Sequence, residues 1–200
     1  MPDTTPATGP DSEPCAVDPR VERSKRVICE AAIAELSEVG YGAMTIESIA
    51  KRAGVSKATV YRHWDGKLDL IDSALLQIRD SMHIPTSGTV RERVTVMLTW
   101  LAEYLADRDR SGSLPAMISA SVYDDSVRAY HYRFNAGRRQ ALVDLLDEGL
   151  ASGELSTGCT DATLLAEMLV GPIFYERLMS SEPFDPQRVP EVVDIVLGAV

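Results

Sequence analysis

Five cations, Lys51, Arg52, Lys57, Arg62 and Lys67, stand within seventeen residues that hold one acid, Asp65. Among them lie Gly54-Val55-Ser56, the small residues Ala58 and Thr59, and the rings of Tyr61, His63 and Trp64. This combination suits a polyanion with readable edges. Cations, hydroxyls and ring donors grip phosphates, while short side chains let a backbone come close enough for a long one to reach a base. A second cluster, Arg20, Arg23, Lys25 and Arg26 against Glu22, lies just upstream. The rest of the chain has the opposite sign. Its 200 residues carry a net charge of −10, and from Ser81 onward ten arginines face seventeen acids. The average repels nucleic acid at long range; the distribution concentrates attraction near the N-terminus.

Reading such a partner needs a protruding helix, and the spacing supplies one. Thr45 is suited to cap a short helix over 46–52, with Ile46, Ile49, Ala50 and Ala53 turned inward. Gly54 can take the left-handed turn that strains other residues. Ser56 then caps a second short helix over 57–63, whose Val60 and Trp64 face the core. Two short helices about a Gly-Val-Ser turn form a helix-turn-helix candidate. On a helical wheel the direction opposite Val60 and Trp64 falls on Arg62, flanked by Ala58 and Thr59, with Lys57 in reach at the first turn. Thr45, Tyr61, His63 and Lys67, with the helix start at Ser56, are the expected phosphate partners.

Supporting helices are expected over 21–39, stopped by Gly40, and over 67–82. Beyond Pro85 and Gly88, further helices are expected near 89–108, 113–122, 125–151, 161–180 and 187–199. Their caps and stops are Thr89, Ser113, Asp124, Gly153, Thr160 and Asp185. Pro172 falls inside the fourth of these and should kink it. Strand patterns are absent, so the fold class is all-α. Residues 1–19, with five prolines and no apolar period, read as a disordered tail. Residues 20–67 are expected to form the N-terminal three-helix DNA-binding domain with its helix-turn-helix, joined to a C-terminal helical domain over 68–200.

The run Thr45-x-x-x-Ile49-Ala50-x-x-Ala53-Gly54-Val55-Ser56-x-x-Thr59-Val60-Tyr61-x-His63-Trp64-x-x-Lys67-x-x-Leu70 resembles the DNA-binding signature of the TetR family of bacterial transcriptional regulators. The resemblance spans about Arg20 to Ile71, with Trp64 where Phe is usual. It implies that Lys57, Ala58, Thr59 and Arg62 face bases and that Thr45, Tyr61, His63 and Lys67 hold the backbone. It further implies a repressor that binds a palindromic double-stranded operator as a homodimer and is released by a small-molecule effector.

In the second half, Met97, Trp100, Leu101 and Tyr104 share a face, on which Met117, Ile118, Tyr123, Phe134, Met168 and Ile173 could converge. Together they are the expected lining of a largely apolar effector pocket, with Tyr104, Tyr130, His131 and Asn135 as polar partners. The low-charge stripes 164–174 and 189–197 suit either a core or an interface. The resemblance places the dimer there, through Leu164, Leu165, Phe174, Val192, Val193 and Val196.

Other functions fit less well. The chain has no GxSxG, HExxH or phosphate-binding glycine loop, so no catalytic residue, metal site or cofactor is expected. Three scattered cysteines, Cys15, Cys29 and Cys159, exclude a disulfide framework and suit a reducing cytoplasm. They leave a thiol-based redox-sensing regulator as one alternative. A helical protein-interaction module is another, though it would leave the basic cluster without purpose. No apolar run approaches the roughly 18 residues that cross a bilayer.

Overall fold

Apolar residues recurring at three and four fold this chain into helices whose stripes close on one another. A computed structural model describes residues 19–81 and 84–198. Of the tail expected over 1–19, residues 1–18 lie outside the described residues, and Pro19 instead opens the first helix, a position its fixed φ suits. The helices are α1 (Pro19–Ala43), α2 (Ile46–Ala53), α3 (Lys57–Tyr61), α4 (Lys67–Asp80), α5 (Val90–Ala106), α6 (Ser113–Tyr123), α7 (Asp125–Ser152), α8 (Ala162–Met179) and α9 (Val189–Leu197), the last preceded by a 3-10 turn at Pro186–Arg188. No strand occurs among the described residues, and no helix there is long and apolar enough to cross a membrane.

Most expected punctuation holds. Gly40 has φ 77° and breaks α1 where a stop is expected, although one further turn follows it. Thr89 caps α5 in a capping box with Glu92, Asp124 caps α7, and Gly153 ends α7 at φ 77°. Two caps differ by one residue. Asp161, not Thr160, accepts the first amides of α8, because a carboxylate in that place bonds both the Thr163 and Leu164 N–H groups. Gly112 rather than Ser113 precedes α6, and Ser113 is buried as its first residue. Pro172 does not interrupt α8, which runs through it to Met179.

Two apolar cores result. The first gathers Ile28, Ala32 and Leu36 of α1, Ile49 of α2, Val60 of α3, Trp64, and Leu70, Ile71 and Ala74 of α4. Val27 and Val39 of α1 are exposed. The second centres on α5, where Val94, Leu98 and Ala102 are fully enclosed by α7, α8 and α9. The cores do not divide at residue 67. The first half of α4 belongs to the N-terminal one, and so do Met117 of α6 and Val127 and Tyr130 of α7. The junction is therefore packed.

One close approach across it is at Gly112. A Cβ placed there would lie 2.7 Å from the Ser37 Cβ on α1, inside van der Waals contact. Gly112→Ala is expected to lower stability by about 1–3 kcal/mol through overpacking. The double variant with Ser37→Gly should recover most of that loss in urea unfolding. Equal losses in the single and double variants would mean the two helices are not in contact there.

Candidate nucleic-acid interface and effector cavity

The reading helix is held by bonds that its own sequence dictates. Gly54 adopts φ 68°, ψ 30°, and the Val55 N–H donates back to the Ala50 carbonyl at 3.0 Å, closing the end of α2. At the other end of α2, Thr45 accepts from the Ser48 amide at 3.0 Å while the Ser48 hydroxyl accepts from the Thr45 N–H. Ser56 caps α3 by accepting from the Thr59 N–H at 3.1 Å. α3 is shorter than the expected 57–63, but Arg62, His63 and Trp64 still donate to carbonyls of the preceding turn. Trp64 is buried, and its indole N–H donates to the Ser73 hydroxyl of α4 at 2.8 Å. The aromatic plug is thus also a polar tie.

This scaffold leaves Lys57, Ala58, Tyr61 and Arg62 exposed and Thr59 and His63 half-buried. Tyr61 is 56% exposed, so its ring and hydroxyl are open to a partner. Lys57 pairs with Glu47 of α2 at 2.6 Å. Both groups are exposed, so the pair holds weakly and yields readily to a phosphate or base. Glu47 holds Lys57 over the turn, and no helical spacing rule reveals an acid ten residues upstream.

Two of the clustered cations are bound to α1. The Lys67 ammonium donates to the Tyr41 carbonyl at 2.7 Å and lies 4.1 Å from the centre of the Tyr41 ring, so it ties α4 to the end of α1 instead of standing free for phosphate. The Thr45 and Ser56 hydroxyls serve as the helix caps, as expected. Arg52, one of the five clustered cations, forks between Glu35 and Glu38 of α1. Its Nε donates to Glu35 at 3.0 Å and its terminal nitrogens to Glu38. The paired guanidinium holds the Glu38 carboxyl below its usual range. Glu35 itself is buried, which the helical period of α1 disguises as a core position.

A cavity of about 930 Å³ opens between α5, α7 and α8, within the size range of small-molecule sites. A smaller space of about 40 Å³ adjoins it, lined by Leu75 and Ile78 of α4 and by Tyr130 and Phe134 of α7. The two share Leu101, Leu114, His131, Asn135, Arg138 and Phe174. Of the expected lining, Met97, Leu101 and Ile118 reach the large cavity and Leu101, Tyr104, Met117 and Phe134 the small one.

Four expected lining residues do not. Tyr123 is 87% exposed at the end of α6, Met168 lies on the outer face of α8, and Ile173 is sealed in the core. Trp100 lines neither space but stacks on Tyr104 at 5.4 Å. Among the polar candidates, Tyr104 donates to the Arg110 carbonyl. The Asn135 amide donates to the His131 carbonyl and lies against its ring. The Tyr130 hydroxyl is buried without a well-formed hydrogen bond. Burial, with the Asp72 carboxylate facing it, pushes that phenol far up. Burial likewise lowers His131, keeping its ring neutral near pH 7.

Half of the expected interface is also redrawn. Leu165, Val192 and Val193 are buried in the chain's own core, because α8 and α9 turn those positions toward α5. Phe174 and Val196 are half-buried and Leu164 is exposed. The apolar surface actually presented is Leu164, Met168, Tyr175, Leu178 and Met179 on α8 and Ile195 on α9. Burial also pushes the Cys29 thiol up to about 11, so it is protonated at neutral pH. No cluster of three or more His, Cys, Asp or Glu able to hold a metal occurs among the described residues.

Comparison with known proteins follows the same division. Residues 28–74 match the family model described as bacterial regulatory proteins, tetR family, and residues 84–196 match that of the Tetracyclin repressor-like, C-terminal domain. The chain is 33% identical over 177 residues to the uncharacterized HTH-type transcriptional regulator YdeS of Bacillus subtilis, covering 88% of each. It is 26% identical over 152 residues to the fatty acid metabolism regulator protein of that organism, covering 73% of this chain and 77% of the other. Similar solved structures include Salmonella enterica GusR, with a TM-score of 0.71 at 15% identity over 88% of this chain and 96% of that one. Another is the regulator FadR of Bacillus subtilis in complex with stearoyl-CoA, with a TM-score of 0.66 at 22% identity over 87% and 98%.

The Arg52 clamp makes a prediction. Arg52→Ala should lower the unfolding midpoint by stranding the buried Glu35 carboxylate, and adding Glu35→Gln should restore much of it. Thermal unfolding of both variants checks this; a single variant as stable as the parent would contradict the clamp.

Proposed function

The chain belongs to the TetR family of bacterial transcriptional regulators, and from that premise we propose that it represses transcription as a homodimer on a palindromic operator until a small, largely apolar effector releases it. The observation that carries this reading is the exposed face of α3, with Lys57, Ala58, Tyr61 and Arg62 presented together on an acidic molecule. In this reading Lys57, Thr59 and Arg62 address bases. Tyr61 and His63 hold phosphates, with the amide ends of α2 and α3. Lys67 acts indirectly, by fixing the end of α1. The division of labour is a reading head of α1–α3 with the first half of α4, and a body from there on. The setting is the cytoplasm, where operators are found, and the role is control of transcription rather than catalysis. The raised Cys29 thiol disfavours redox sensing as the switch.

Two-fold symmetry suits a single reading helix per chain, since two such helices then meet successive major grooves. The surface for it is the stripe Leu164, Met168, Tyr175 and Met179, spaced by multiples of the helical turn on α8. The effector would act through α4. Its first half is locked into the reading-head core by Leu70, Ile71 and Ala74, while Leu75, Ile78 and Arg79 line the two spaces. A ligand that fits only one seating of α4 shifts the spacing of the two reading helices. Ligand and operator then weaken each other by the same factor.

Two outcomes are expected. Met168→Glu should convert the dimer to a monomer in sedimentation and abolish operator protection, whereas a variant that remains a dimer would place the interface elsewhere. Thr59→Ala or Lys57→Ala should change the preferred bases in selection from random duplexes, and Tyr61→Ala should weaken binding to all sequences alike. Unaltered selection and affinity in all three would remove α3 from the interface.

A further inference from the structure

The large cavity is apolar on most of its wall, yet a guanidinium sits in it without a counter-charge. Arg138 lines both spaces and lies 5.7 Å from the centre of the Phe134 ring. No carboxylate among the described residues pairs with it. Elsewhere in the body, Arg91 pairs with Asp194 at 2.8 Å and Arg93 with Glu148 at 2.8 Å, and the buried Arg177, which also lacks a carboxylate among the described residues, donates its Nε to the Ser111 hydroxyl at 2.8 Å. The one acid on the cavity wall, Glu167, faces Arg139 at 3.8 Å. Arg79, on the α4 side, already pairs with Asp80 at 2.9 Å, and its charge adds to that of Arg138 rather than cancelling it. Burial, opposed in part by the Tyr104 phenol and aided by the like charge of Arg79, pulls the Arg138 pKa down, but guanidinium stays protonated at any pH the fold survives. A sheltered, unpaired cation is unfavourable unless something else brings the opposite charge.

We infer that the cavity takes an amphipathic carboxylate, its chain along Met97, Leu98, Ala166 and Val170 and its carboxylate on Arg138. This rests on, and sharpens, the proposed effector site. A planar guanidinium matches a carboxylate through two parallel bonds, which a neutral headgroup does not offer. Asn135 and His131 lie one and two turns before Arg138 on α7 and line the same space, so neutral donors and acceptors flank the head. The apolar wall accepts the chain, with Met97 as its adaptable part. Because Arg138 also lines the small space beside Leu75 and Ile78, a carboxylate drawn to it would bear on α4. The charge that recognises the ligand thus lies at the lever.

Calorimetric titration of the full-length protein with dodecanoate, methyl dodecanoate, dodecanol and dodecanoyl-CoA, below their micellar concentrations, tests the assignment. Dodecanoate should bind at least about 10-fold more tightly than the ester or the alcohol, the scale of a charge-assisted pair. Arg138→Gln should remove that preference and leave the alcohol's affinity within about 3-fold of the parent, and Arg138→Lys should keep part of it. Equal affinity for acid and alcohol, unchanged dodecanoate binding by Arg138→Gln, a preference for the thioester, or no binding of the acid would each overturn it. Binding of duplex DNA, measured on the same preparations, separates the two readings. A protein that holds its operator but ignores dodecanoate refutes the ligand class alone, whereas one that holds no duplex refutes the regulator.

Discussion

The left-handed turn at Gly54 is the constraint on which the reading surface depends. α2 and α3 have eight and five residues, far below the length at which an isolated helix is stable in water. They persist because the turn crosses them at an angle that sinks Ile49, Val60 and Trp64 into one core with α1 and α4. The backbone bond from Val55 to Ala50 and the caps of Thr45 and Ser56 satisfy the terminal amides and carbonyls that such short helices leave in excess. A side chain at position 54 would meet open space but would have to hold φ 68°. The cost lies in the backbone, not in crowding.

Much of this was legible because it follows local rules. Caps at Thr45, Ser56, Thr89 and Asp124, stops at Gly40 and Gly153, and the inward positions of α2 and α3 are set within a turn or two of chain. What escaped was set by distant partners. Arg52 looks like surface until Glu35 and Glu38 are seen across from it on α1. Lys67 looks like a phosphate donor until the Tyr41 carbonyl, 26 residues away, claims it. Leu165, Val192 and Val193 belong to the same apolar stripes as Leu164 and Ile195. Only the packing of α8 and α9 on α5 decides which side of a stripe turns inward. Arg138 gave no sequence signal, since an arginine amid a polar-faced helix reads as solvated.

The two halves of the molecule are joined by packing rather than by a flexible linker. α6 seats on α1 through Gly112 and Ser37, α7 contributes Val127 and Tyr130 to the reading-head core, and α4 runs from that core to the cavity. Close-packed junctions of this kind respond to a ligand by reseating rather than by bending. They therefore suit a head whose spacing must have two discrete values. The acidic body suppresses general attraction to polyanions, so that affinity rests on a small cationic surface in register with its partner.

The most direct test is the salt dependence of duplex binding by the intact protein, followed by fluorescence anisotropy on an operator and on a scrambled duplex. The account predicts saturable binding of two protomers per operator, with log K falling linearly as log salt rises, and a much weaker complex with the scrambled duplex. No binding to either duplex in dilute buffer, or an affinity indifferent to salt, would contradict it.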